Sequence, residues 1–212
     1  HLATWRRFRR ALRQRNAALK ARSPAGSIRS WNSEFVEISQ KLDASRRRAL
    51  EIALDTLQEY GHSLLGTEIG FEYQQGWNSE KPLKEVLEEV AEREFQMGTT
   101  QYGPHRADLK IRYDERQARK LVSRGQQKLL ASAMVLAAAD TAQAALERPL
   151  LLLLDDPAAE LDANALQRLM AAIAGLGCQV VATSLERASL DVPPGAAVFH
   201  VEHGVLTPES GA

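Results

Sequence analysis

A single cysteine, Cys178, in 212 residues leaves no partner for an internal disulfide and no material for a cysteine-held zinc cluster, and it fits a reducing compartment. Long apolar runs are also missing. The longest strongly apolar window, Pro149 to Leu154, falls far short of the roughly 20 residues of a membrane helix, and no signal peptide opens the chain, so a soluble protein with no membrane partner is expected. Internal repeats and low-complexity stretches are absent. With 44% hydrophobic and 25% charged residues, the composition excludes collagen-like and coiled-coil classes. The length suits one large domain or two small ones. The first residue is His1 rather than Met, inside a helical pattern, which reads as a start within a longer or processed protein.

Net charge is absent too, yet its distribution is lopsided. Residues 1–50 carry 13 Lys and Arg against 3 Asp and Glu, and residues 51–100 carry 3 against 11. A strongly basic block can attract a polyanion even in a neutral chain. Leu2, Trp5, Phe8, Leu12 and Leu19 recur at helical spacing with arginines between them, which predicts a basic amphipathic helix ending near Ser23. Burying that stripe turns Arg6, Arg9, Arg10 and Arg13 outward as a positive ridge that could meet a polyanion. The competing reading is a solvated face neutralised by Glu85, Glu88, Glu89 and Glu92.

A second long helix is expected from Asn32 to Tyr60, stopped by Gly61, forming an antiparallel arm with the first. Residues 67–73 alternate like a strand, and Pro82 opens an acidic helix reaching Phe95. Beyond Gly98 the pattern alternates: strand 107–113, helix 123–146, buried strand 150–154, helix 162–174, strand 179–183 and strand 197–201. That rhythm predicts a parallel sheet covered by helices.

Chemistry concentrates at two places. Leucines 150–154 run into Asp155, Asp156 and Pro157, delivering two acids to a strand's carboxyl end, where α/β proteins bind ligands. One such acid can hold Mg²⁺ through water and the next can orient an attacking water; the plain alternative is a strand ending in a turn, with Asp162 capping the next helix. Two adjacent acids at a partly buried strand end call for a cation. The second place is Ser123-Arg124-Gly125-Gln126-Gln127-Lys128, whose helix start could receive a phosphate or could simply be capped by Ser123. His62 and His203 read as surface residues, Trp31 and Trp77 as packing residues, and Cys178 as an inert buried thiol.

The succession of Ser123 to Gln127, the leucine strand with its acids, and Glu160-Leu161-Asp162 resembles the signature, Walker B and D-loop order of ABC-type ATPase heads. Tyr102-Gly103-Pro104-His105-Arg106-Ala107-Asp108, with Trp5-Arg6-Arg7-Phe8 and Gln14 to Leu19, makes the whole chain resemble the RecF family of bacterial recombination and gap repair. The resemblance implies part of an α/β ABC-type P-loop ATPase head with a mostly parallel sheet, plus a helical arm. Residues 1–98 would form the arm with a short strand, and residues 99–212 the C-terminal ATPase lobe.

It further implies a cytoplasmic protein of DNA replication, recombination, repair and the SOS response. That protein uses ATP and Mg²⁺, dimerises on duplex or gapped DNA in an ATP-dependent way, hydrolyses slowly, and acts with RecR, RecO and RecA. Ser123, with Arg124, Gly125 and Gln126, would reach the partner copy's γ-phosphate. Asp155 would serve Mg²⁺ through water and Asp156 would polarise the attacking water. Glu160, Leu161 and Asp162 would line the dimer interface, and Thr183 or Ser184 would stand in the switch, which lacks the histidine of many relatives in the wider class. Asp156 stands where transporters usually have Glu, and the shorter side chain favours slow turnover. His105 would shape the nucleotide or interlobe surface.

No G-x-x-x-x-G-K-[ST] occurs, so the loop that cradles the α- and β-phosphates is missing from these residues. The resemblance assigns it to a half preceding His1. Two other readings remain open: a non-catalytic module that binds DNA or RecR, and a metal-dependent nuclease built on Asp155, Asp156, Glu160 and Asp162.

Overall fold

In the computed structural model, which describes residues 1–114, 116–118, 122–186, 190 and 192–209, α1 (Leu2–Lys20) and α2 (Ala25–Leu65) form the arm. Arg15 meets Asn32 while Phe8 meets Phe35, so the two helices run antiparallel as expected. α2 begins earlier than Asn32 because Pro24 sits at its N-cap, where a missing N–H costs nothing. It also runs through Gly61, which is buried against Ile69, and stops at Gly66, whose φ of 73° only glycine adopts freely. Its 41 residues span about 60 Å at 1.5 Å each. The helix therefore belongs both to the arm and to the lobe beyond it.

Phe8, Ala11, Phe35, Ile38, Leu42, Leu83 and Leu87 make the arm's core. The predicted stripe needs two corrections. Leu2, at the helix's first turn, is 58% exposed, and Arg15, one of the arginines that stand between the stripe's apolar residues, is 1% exposed. Its guanidinium donates to Glu94 Oε2 at 2.6 Å, Thr100 Oγ1 at 2.7 Å and Asn32 Oδ1 at 2.9 Å. The acidic segment is two helices, α3 (Leu83–Glu89) and α4 (Ala91–Met97), because Val90 leaves helical geometry; the second half can then turn Glu94 inward.

His105 lies on a short 3₁₀ turn, Pro104–Arg106, with its ring 6.2 Å from Phe8 and Nε2 donating to the Thr100 carbonyl at 3.1 Å. Nδ1 is buried without a partner, which suits the neutral tautomer. His105 thus helps build the arm. Burial holds its pKa below the usual value, with Arg106 acting in the same direction and the Thr100 bond opposing. An unfolded histidine takes up a proton below about pH 6.5; the folded one resists it, so this contribution to stability is full above that pH and declines as pH falls. We expect His105→Gln, which can keep the bond to Thr100, to shrink the loss of thermal stability between pH 7.5 and 5.5. An identical pH dependence in the variant would refute this assignment.

β1 (Ile69–Gln74) pairs antiparallel with β2 (Asp108–Tyr113), which pairs with β3 (Arg116–Gln117). Segments 1–98 and 99–212 therefore share one sheet. In the lobe, α5 (Arg124–Leu146) and α6 (Ala163–Gly175) pack with the end of α2 around Leu64, Leu129, Ala133, Leu136, Leu169 and Ile173. By length and composition α5 is apolar enough to cross a bilayer, contrary to the reading that Pro149 to Leu154 is the longest such stretch; its alanines obscure the pattern, and here Leu129, Ala133 and Leu136 on one side of it pack in the lobe core.

The expectation of a mostly parallel sheet is corrected. Parallel pairing among the described residues is confined to β4 (Leu151–Leu154) and β5 (Gln179–Ala182), while β6 (Phe199–Glu202) and β7 (Val205–Pro208) form an antiparallel hairpin. The architecture is mixed α/β, mostly helical with small sheets. β4 is not a buried strand either: Leu152 and Leu154 pack on the lobe core, but Leu151 and Leu153 are 57% and 69% exposed. Strand alternation puts them on opposite faces, and only one face is covered by helices.

Candidate functional site at the end of strand β4

β4 delivers Asp155 and Asp156 into a turn that closes at Asp162, the N-cap of α6, whose Oδ1 accepts from Ala165 N at 2.8 Å. β5 runs alongside and brings Thr183, whose N–H bonds the Leu154 carbonyl at 2.9 Å and whose hydroxyl donates to Asp155 Oδ1 at 2.8 Å. That hydroxyl oxygen also accepts from the Asp156 N–H at 3.2 Å. Thr183 thereby joins the end of β5 to both acids. Ser184 turns away, its hydroxyl bonding the Glu186 carbonyl at 2.9 Å.

α5 approaches the same turn with its N-terminus. A Cβ on Gly125 would lie 3.0 Å from the Glu160 carbonyl oxygen and 3.9 Å from Leu161, so a larger residue would push the helix start off the turn. Gly125 at the start of α5 thus lies against Glu160 and Leu161 of the turn that follows Asp155 and Asp156. Ser123 is also the helix cap of the plainer reading, in a reciprocal capping box with Gln126. Gln126 further donates from Nε2 to the Tyr113 hydroxyl at 3.1 Å, tying α5 to β2. Arg124 is exposed and bonds nothing among the described residues.

One contact was not read from the sequence. Lys128 Nζ donates to the Asp156 carbonyl at 2.9 Å and the Ala159 carbonyl at 2.8 Å. Its position three residues after Gly125, on the same helix face, was the available signal.

Asp155 is exposed and Asp156 half-exposed, so water solvates this strand end and the argument that the acids need a cation because of burial does not hold. The donor set still suits Mg²⁺, which takes one or two carboxylates and completes its shell with water and phosphate oxygens. Among the described residues no group of three or more His, Cys, Asp or Glu could hold a metal by itself, and Asp162 is committed to its helix cap. Both facts count against a two-metal nuclease.

On the arm, Arg6, Arg9, Arg10 and Arg13 are exposed, with the Arg9 guanidinium 4.8 Å from the Trp5 ring centroid. The expected neutralisation by Glu85, Glu88, Glu89 and Glu92 is absent among the described residues. Glu89 pairs with Lys81, and on the exposed side of α1 Arg7 lies 4.0 Å from Glu34 and also feels the charge of Glu37. The second acidic helix, α4, packs near the far end of α1, where Arg15 meets Glu94.

These features define a mixed α/β lobe with a carboxylate-bearing strand end beside a capped helix start, carried on a long helical arm. No protein-family profile matches the chain. It is 40% identical over 207 residues to the DNA replication and repair protein RecF of Thioalkalivibrio sulfidiphilus, covering 95% of this chain and 57% of the relative. It is 40% identical over 211 residues to RecF of Chromohalobacter salexigens and 34% over 210 residues to RecF of Shewanella oneidensis, each covering 97% of this chain and 58% of the relative. A solved structure described as the recombination mediator protein RecF with ATP, in the RecFOR pathway, superposes with a TM-score of 0.82 at 20% identity, over 99% of this chain and 58% of that one. The chain belongs to the RecF family and spans a little under three fifths of the length of these relatives.

Proposed function

We propose that this chain is the arm and C-terminal lobe of an ATP-dependent DNA-binding protein of recombinational gap repair. The complete protein closes as a dimer around two nucleotides on duplex or gapped DNA, hydrolyses ATP slowly, and assists RecA loading with RecO and RecR in the cytoplasm. The observation that carries this reading is the convergence of α5's start, the two acids, the turn to Asp162 and Thr183 at one strand end.

Bound Mg²⁺ and ATP would supply the phosphoryl group to be hydrolysed and the charge that neutralises it. Asp155 would hold the metal through water, and its bond from Thr183 fixes the carboxylate's direction. Asp156 polarises the attacking water. Ser123, Arg124, Gly125 and Gln126 face the partner copy's phosphate, and Glu160 with Leu161 lines the dimer interface. Arg6, Arg9, Arg10 and Arg13 contact DNA phosphates.

In the complete protein, Ser123→Arg is expected to leave nucleotide binding by the monomer intact and abolish ATP-dependent dimerisation in light scattering. Ser123→Ala controls for the lost cap, worth about 1 kcal/mol. ATP-dependent dimers of the arginine variant would overturn the signature assignment. Arg6→Ala with Arg10→Ala is expected to weaken DNA binding similarly across sequences and to shallow the slope of log K against log salt by roughly 0.7–0.9 per lost phosphate contact. An unchanged slope would move the DNA site off α1.

A second reading rests on the missing phosphate-binding loop: by itself the chain is a non-catalytic module presenting the arm to DNA or RecR. Calorimetry separates the two, because saturable micromolar ATP binding by these 212 residues would exclude the module reading.

A further inference from the structure

Two non-glycine residues in the turn after β4 have left-handed backbones, Asp156 at φ 44° and Glu160 at φ 65°. L-residues disfavour this conformation, so the surroundings must hold it. Within the turn, Ala159 N bonds the Asp156 carbonyl at 3.2 Å and Leu161 N bonds the Ala158 carbonyl at 3.3 Å. The cation holding it from outside is Lys128, half-buried, with its ammonium on the Asp156 and Ala159 carbonyls. It stands one turn into α5, on the face where Gly125 meets the Glu160 carbonyl.

From this we infer that Lys128 is a positioning residue that locks the backbone of Asp156 to the start of α5, so that a displacement of that helix start moves the Asp156 carboxylate. The inference rests on the proposed role of Asp156 in orienting water. A partner copy's phosphate engaging the Ser123 end of α5 would thereby set the carboxylate's aim within the same subunit, making hydrolysis depend on dimer closure. A neutral donor could make one such bond. An ammonium with three hydrogens can hold two carbonyls at once, and its charge strengthens both bonds.

The test uses the complete protein and steady-state hydrolysis of Mg-ATP with DNA. Lys128→Met keeps the stem and removes the donors; kcat is expected to fall about tenfold or more while KM for ATP and ATP-dependent dimerisation stay near wild type. Lys128→Arg, which can still donate to two carbonyls, is expected to recover most of the rate, a recovery that a purely packing role would not give. In a double mutant with Asp156→Asn, the loss from Lys128→Met is expected to vanish, because both changes act on one carboxylate. If Asp156→Asn alone is inactive and Lys128→Met turns over like wild type, the positioning role is overturned and the reading of Asp156 stands. If Asp156→Asn itself turns over like wild type, the reading of Asp156 falls, and this inference with it. Losses that add in the double mutant would also overturn the inference, since Lys128 would then act elsewhere.

Discussion

Glu94→Ala is expected to destabilise the protein by about 3–5 kcal/mol, since truncating one partner of a buried ion pair strands the other charge. The geometry supports the upper part of that range. Arg15 and Glu94 side chains are 1% and 0% exposed and 2.6 Å apart. The second carboxylate oxygen accepts from Gln101 N at 2.6 Å, and Thr100, which accepts from Arg15, donates in turn to Asn16 Oδ1 at 2.7 Å. Removing the carboxylate leaves a guanidinium beneath the Phe35 ring, 5.6 Å from its centroid, with no counter-charge and no access to water. Replacing both partners by apolar residues, Arg15→Met with Glu94→Leu, is expected to recover much of the loss, because the cost lies in the unpaired charge. Urea unfolding followed by the fluorescence of Trp5, Trp31 and Trp77 measures it. A loss below about 1 kcal/mol, the scale of a surface pair, would mean that water reaches the site.

The same network marks where sequence reading stopped. Arg13 faces solvent, and by residue type Arg15 looks no different. Its position four residues after Ala11 and four before Leu19 put it on the buried stripe, but only a partner 79 residues away could make burial tolerable. α1, α5, α6 and the β4–β5 pair were legible because their apolar periods and caps are local. The start of α2 and its passage through Gly61 were not, since the contact made by that glycine comes from Ile69, beyond the helix end.

At the strand end, sequence order brought together the residues that the fold also brings together, because a strand, its turn and the following helix leave little freedom between Leu154 and Asp162. The exposure of Leu151 and Leu153 was illegible for a different reason. A leucine run states a preference for burial, and whether a surface exists to cover each face depends on elements elsewhere. Lys128 went unread because its acceptors are backbone carbonyls, which carry no residue signature.

Asp156→Asn in the complete protein is expected to leave ATP binding unchanged and slow hydrolysis by roughly 10²–10⁴-fold, the usual contribution of a positioned acid or base. The substitution is close to structurally silent. The turn uses the main chain of residue 156, with its carbonyl on Lys128 and its N–H on the Thr183 hydroxyl, so none of those bonds depends on the side chain. Asparagine also tolerates the left-handed backbone at φ 44° better than most residues. What changes is the basicity of one oxygen, since an amide has the carboxylate's shape but cannot take or strongly polarise a water proton. Single-turnover hydrolysis beside equilibrium ATP binding separates the two effects. Equal losses of binding and turnover would point to a role for Asp156 in holding the metal, and unchanged turnover would remove it from the mechanism.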